Sequence, residues 1–314
     1  MRTVLSKHAL RKTTAGLLKV NIHMRKSSHL DIDNINFLKM FWVALTHRIT
    51  FCAAWRLFAS AVTEFFVPQF ATKLKLSRIP VVSVDHPLDE TIPFDPRYIH
   101  TYLNFYPFWI RCIYFLYKEF GKRTLGDIRD FMYLVADSYY EAGKIYRRCQ
   151  STTRRPKYLK NAKFILLHAV DPHLHCVPSL HVVLVTQSYL SIPALIDKYS
   201  GEDSARYKPQ KDLIYRHAVE ITESILYMKQ HSVNCIPAAL YFMTKRRPDF
   251  TEEMALSFIE DLFTGDEGVP ATAEVIKEFF RSQYHWMMSD CNPEDGDYKD
   301  VLVRFLLSYQ PVES

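Results

Sequence analysis

Asp171-Pro-His-Leu-His-Cys-Val-Pro-Ser-Leu-His-Val-Val-Leu-Val185 is the stretch whose reading decides the fold. Pro178 and Ser179 stand where an apolar run begins, and His181 falls in the first turn of the helix that run predicts. Proline suits a helix start because its fixed φ is already helical and its missing N–H would be unpaired there. A serine hydroxyl beside the free amides of a first helical turn forms a cradle of anion size. An imidazole projecting into it can carry a proton near neutral pH.

Outward from that stretch, the pattern is helical almost throughout. Apolar periodicity predicts helices over 34–66, 96–120, 125–148, 178–197, 211–229, 231–244, 252–263, 272–287 and 298–308. The 125–148 segment alternates Ile128, Phe131, Met132, Val135, Ala136 and Tyr139 with Asp127, Asp130, Asp137 and Glu141, an amphipathic face pattern. Only 79–84 reads as a strand, and the breakers fall at 77–96, 150–160, 199–209 and 265–270. The expected class is all-α, a helical bundle. It divides into a basic leader (1–33), a helical core (34–246) and a C-terminal helical extension (247–314) that carries no readable motif.

Composition narrows the function. The chain has 314 residues, 48% hydrophobic and 24% charged, enough for a full core. Forty basic against 34 acidic side chains give a formal charge of +6. That suits an anionic substrate or an anionic membrane surface, and no basic run interleaved with aromatics points to nucleic acid. With 8 glycines there is neither a dinucleotide-binding GxGxxG nor a Walker-type loop. Six scattered cysteines without a CxxC pair read as reduced thiols. Hydropathy does not support membrane spans. The 37–67 region is interrupted by His47, Arg48, Arg56 and Glu64, 102–117 carries Arg111, and 182–196 is short of the roughly 20 residues a span requires. The expected location is cytoplasmic or peripheral at a membrane.

Two further clusters flank the opening stretch. Upstream, Arg148-Cys-Gln-Ser-Thr-Thr-Arg-Arg155-Pro156 places two guanidiniums where they can converge on one tetrahedral anion. Downstream, Ser224-Ile-Leu-Tyr-Met-Lys-Gln-His231-Ser-Val-Asn-Cys235 runs from a predicted helix end, near Lys229, into the next helix. In this order the three clusters resemble the signature of the type-2 phosphatidic acid phosphatase and vanadium haloperoxidase superfamily. Arg148-x6-Arg155-Pro156 resembles its Lys-x6-Arg-Pro, and Pro178-Ser179-Leu180-His181 its Pro-Ser-Gly-His. Ser224 and His231 match its Ser-Arg-x5-His-x3-Asp, with Ile225 in place of Arg and Cys235 in place of Asp. Lys229-Gln230-His231, and the loop from Asp89 through Phe94 to Pro96, are similar to the lipid phosphatase and sphingolipid synthase branch, whose members usually cross the membrane six times.

The resemblance implies a phosphohistidine mechanism without metal or other cofactor, acting on a phosphorylated small molecule or lipid phosphate. His231 would be the nucleophile and His181 the general acid and then base. Arg148, Arg155, Ser179, Ser224 and Lys229 would hold the phosphate oxygens. Cys235 stands where an aspartate would orient the nucleophilic ring. A thiol with an ordinary pKa of about 8.5 is a poor acceptor, so the activity is expected to be weakened. Leu180 would crowd a place where glycine admits the phosphate to the backbone. Two other readings remain: a non-catalytic phosphate- or lipid-binding module on the same fold, and a metal-dependent hydrolase using His168, Asp171, His173, His175 and His181. The Asp290–Gly296 segment is weakly similar to a calcium loop, but its glycine comes one place late, and it reads as a turn.

Overall fold

The computed structural model describes residues 30–265, 270–290 and 296–311. The basic leader up to residue 29 and the 291–295 part of the calcium-like segment lie outside the described residues. Asp31–Ser314 form one compact unit, to which the C-terminal extension belongs. The architecture is all-α, as the periodicity predicts.

The chain opens with α1 (Leu38–Thr46) and α2 (Arg48–Ser60), separated at His47, whose extended backbone ends the first helix. From α2 the helix runs without a break through a π-helical turn, Ala61–Phe66, into α3 (Val67–Lys73), where Pro68 is tolerated in the first turn. Next come β1 (Val81–Ser83), α4 (Pro87–Thr91), α5 (Ile99–Leu103), α6 (Phe105–Phe120) and α7 (Leu125–Tyr146). A short β2 (Gln150–Thr152) lies in the 150–160 stretch read from sequence as a breaker, and α8 (Ala162–Val170) follows in a stretch to which the periodicity assigned no element. They are followed by α9 (Leu180–Ser200), α10 (Lys208–Tyr227) and α11 (Cys235–Arg246). The extension contributes α12 (Glu252–Glu260), α13 (Ala273–Ser289) and α14 (Tyr298–Ser308).

The core is built around α9. Its residues 182–189 are all buried, with Ile192 and Ile196 continuing the run, because α6, α7, α10 and α11 pack around it. A helix apolar on every side needs neighbours on every side. The α7 helix follows its predicted face: Ile128, Phe131, Met132, Val135, Ala136 and Tyr139 are buried. Among the described residues, two helical runs are long and apolar enough to cross a membrane. One, Leu180–Tyr227, is 61% buried in its apolar window, whereas Arg48–Lys73 is only 11% buried. In the second, Arg48, Arg56 and Glu64 interrupt the apolar run as expected from sequence. Arg56 bonds Asp137 of α7 at 2.7 Å, and Glu64 pairs with Arg147 of the same helix, so both charges are spent sideways on a neighbour.

β1 and β2 pair in parallel, with Val81 opposite Gln150 and Ser83 opposite Thr152, and Ser151 also bridges His175. Three extended pieces thus lie side by side at one end of the bundle. The C-terminal extension braces that end. The Tyr309 hydroxyl donates to the Asp85 carbonyl (2.7 Å) and accepts from the Asn234 amide (3.0 Å).

Candidate active site

The strand pair and the bridge bring together four loops: 84–95 after β1, 153–161 after β2, 171–179 before α9, and 228–234 between α10 and α11. His181 sits in the first turn of α9, as the sequence predicts. His231 lies in the loop, because α11 begins only at Cys235. The two rings face each other edge to face, centroids 5.3 Å apart and planes at 74°.

His231 divides two hollows. The outer one, about 330 Å³, is bordered by Arg154, Arg155 and Lys229 together with Asp85, Asp89 and Glu90. The inner one, about 30 Å³, has room for one or two waters and is walled by Phe65, Phe105, Tyr106 and Tyr139 around His173, His181 and His231.

The cations of the outer hollow differ in how they are held. Arg154 stands 3.8 Å from the Asp85 carboxylate. Arg155 donates only to neutral oxygens, the Gln230 side chain (3.1 Å) and the Asp171 carbonyl (3.2 Å). Lys229 donates to the Asp89 carbonyl. These two therefore keep charge for a ligand. Lys229 has φ 52°, and His173, whose Nε2 lies 2.9 Å from the Thr153 hydroxyl, has φ 65°. Left-handed backbone costs a non-glycine residue on the order of 1 kcal/mol, and tight loops around a site are where such conformations concentrate. The Asp89 carboxylate ties down the 229–233 loop, accepting from the amides of Val233 (2.7 Å) and His86 (2.8 Å). Burial pushes its pKa up to about 6 in spite of those bonds.

Burial also governs the imidazoles. His231 is lowered to about 4, the dominant desolvation being partly offset by a bond to the Cys176 backbone. His181 is lowered well below its ordinary value by burial and then by His231; Tyr102 and Phe105 press on its ring at 4.7 and 4.4 Å. Burial thus favours the neutral form of both rings. Removal from water disfavours the cation, and a bound anion would reverse that preference.

Of the residues singled out from sequence, His181, His231, Arg155 and Lys229 come together. Arg148 does not border either hollow: its guanidinium is paired with Asp300 of α14. The chain between Arg148 and Arg155 is extended through β2, and extended backbone advances about 3.3 Å per residue, which carries one guanidinium away from the other. Ser179 caps α9 without a side-chain capping bond, and its buried Oγ lacks a partner. Ser224 donates to the Ile221 carbonyl at 2.7 Å and is fully buried. Neither serine reaches a hollow. Cys235 is not on one helix with His231. Its thiol is fully buried beside Cys176, and burial holds its pKa well above the ordinary value. The His231 Nδ1 is left buried and unpartnered.

Sequence reasoning passed over Asp89 as a site residue, and Gln230 as the clamp on Arg155. The capping box formed by His86 and Asp89 around the start of α4 was the available signal for the first. Of the residues weighed as metal ligands, His175 is stacked on Tyr146 (3.9 Å between centroids, 9° between planes) and His173 bonds Thr153. Among the described residues no group of three or more histidine, cysteine, aspartate or glutamate side chains is disposed to hold a metal ion.

Comparison with known protein families, with curated proteins and with solved structures finds no match. The arrangement itself defines a class of site: two buried imidazoles in contact, one of them, His231, also bordering a hollow that holds Arg155 and Lys229 among three carboxylates.

Proposed function

We propose that this protein is a metal-independent phosphomonoester hydrolase acting through a phosphohistidine, a divergent relative of the type-2 phosphatidic acid phosphatases, with a lipid phosphate or small phosphate ester as substrate. The observation that carries the reading is the 5.3 Å pairing of His181 with His231 beside Arg155 and Lys229.

The phosphoryl group occupies the outer hollow, its oxygens held by Arg155 and Lys229, which supply the positive charge a metal would otherwise bring. A ring nitrogen of neutral His231 attacks phosphorus. The N–P bond forms as the P–O ester bond breaks, and the leaving alkoxide takes a proton from His181. Burial favours neutral His181, so the substrate dianion must first raise its pKa and draw the proton in. Water then attacks phosphorus, His181 accepts its proton, and the N–P bond breaks to release phosphate and neutral His231. We place the reaction in the cytoplasm or at a membrane surface.

A non-catalytic phosphate-binding module is the second reading, favoured by the unpartnered Nδ1 of His231, which lacks an orienting acceptor. Phosphate release from phosphatidic acid and p-nitrophenyl phosphate separates the two. The expected result is slow turnover that vanishes in both His181→Ala and His231→Ala. Phosphate binding by calorimetry without any histidine-dependent release would establish the module instead.

A further inference from the structure

The first three helices leave a large apolar face uncovered. On α1, Leu38 (60% exposed), Phe41 (50%) and Trp42 (72%) point outward. On α2, Phe51, Trp55 and Phe58 form a stripe at i, i+4 and i+7, their rings in edge contact at 6.4 and 5.8 Å. Only Thr50 and Ala53 of α2 are buried. Large apolar side chains contiguous on a surface mark something that covers them.

Two observations decide what covers this one. Two charges inside the run, Arg56 and Glu64, are paired with Asp137 and Arg147 of α7, which turns them from the aromatic stripe, while Arg48 stands exposed at its start. Beyond the end of α3, the chain alternates exposed apolar and basic residues, Lys73, Leu74, Lys75 and Leu76, with Arg78 following; among the described residues none of these cations makes an ion pair. Tryptophan and phenylalanine beside unpaired lysine and arginine match the boundary between acyl chains and acidic headgroups. A protein partner would be expected to meet these cations with carboxylates, and a second copy of this chain would bring the same cations against its own.

We propose that α1, α2 and the end of α3 form a docking face that lies in the plane of an anionic bilayer, Trp42, Trp55 and Phe58 sinking among the acyl chains while Lys73, Lys75 and Arg78 bind acidic headgroups. The π turn and α3 belong to the same helical run, and Phe65 and Gln69 from it wall the inner hollow beside His181 and His231. The docking face is thus the outer side of an element whose inner side borders the site. Docking does not depend on hydrolysis, and it deepens the lipid-phosphate reading only by setting the site next to lipid.

Vesicle flotation of the full chain tests this, scored in parallel in His231→Ala so that loss of hydrolysis and loss of docking are separate readouts. The probes are phosphatidylcholine vesicles with and without phosphatidylserine. The protein is expected to float with the anionic vesicles, and its Trp42 and Trp55 fluorescence to be quenched by lipids brominated on the acyl chain. Trp42→Ser/Trp55→Ser/Phe58→Ser should weaken partitioning on the order of 100-fold, and Lys73→Glu/Lys75→Glu should abolish the preference for phosphatidylserine. Circular dichroism and melting of both variants should be unchanged, since all five side chains are exposed. Partitioning that is absent, or unaltered in the triple variant, overturns the proposal. So does a dimer in ultracentrifugation that the triple variant converts to monomer, which would assign the face to a second copy.

Discussion

His231 carries a buried Nδ1 with no partner, and four residues later the chain offers a thiol buried beside Cys176. A nucleophilic imidazole needs its second nitrogen held if the ring is to keep one tautomer and accept positive charge; loss of the corresponding aspartate in a serine protease costs on the order of 10⁴ in turnover. Cys235→Asp is therefore expected to raise kcat for p-nitrophenyl phosphate at least about tenfold, with a lower melting temperature because a second carboxylate enters a fully buried position near Asp89. An unchanged kcat in a folded variant would mean that ring orientation does not limit the reaction. At this scale the sequence was partly legible. His181 and His231 were readable because the residue types and spacings carry their own chemistry. The placement of Arg148 was not, because its partner Asp300 lies 152 residues away and no local pattern announces such a pair.

Elements follow sequence where a single periodic face decides them. α7 matches its predicted face because one side is apolar and the other acidic over its whole length. The π turn at Ala61–Phe66 had no such signal. It depends on Gly143 of α7, where an added Cβ would stand 2.5 Å from the Glu64 carboxylate and 2.9 Å from its Cβ. On the same helix Gly126 has open space around it. The two glycines should respond oppositely to alanine in denaturant unfolding. Gly126→Ala should stabilise by up to about 1 kcal/mol through helix propensity, and Gly143→Ala should destabilise by about 1–2 kcal/mol, because overpacking outweighs that gain. Equal stabilisation by both would show that the π turn yields without cost. The short β2 was read as part of a breaker for a related reason: it exists through its register with β1, a partner some 70 residues upstream in the chain.

At the scale of the whole molecule, burial of titratable groups makes stability depend on pH. His173, His175, His181 and His231 all have pKa values held below the ordinary 6.5, chiefly by desolvation. As pH falls below 6.5 the unfolded chain gains protons at these positions that the folded chain refuses, so each contributes a loss approaching about 1.4 kcal/mol per pH unit. Three buried carboxyls oppose this. Asp89, raised to about 6, Glu223, raised to about 7, and Asp171, raised by burial, are protonated more readily in the folded state, which favours folding as pH falls. His86 and His168 are lowered in the same sense and His217 is raised, so the rings outweigh the carboxyls and stability falls between pH 6.5 and about 5. Unfolding free energy from urea titrations should decline by about 1–2 kcal/mol over that range. Glu223→Gln, which fixes one carboxyl in its neutral form, should steepen the decline. Stability that rises on acidification would refute the burial of the four rings.

What the sequence determined by itself is what periodicity and residue type encode locally: an all-α chain and a largely apolar helix after Pro178 that opens on His181. The tertiary structure decided which cations meet. It joined Arg155 to Lys229 through the 153–161 and 228–234 loops, sent Arg148 to α14, and turned Arg56 and Glu64 of the first long helix toward α7, which left that helix's aromatic stripe open. The reason is physical. A side chain's charge is written at its own position, but whether it is free for a ligand depends on partners brought near by packing, and those partners stand far off in the chain.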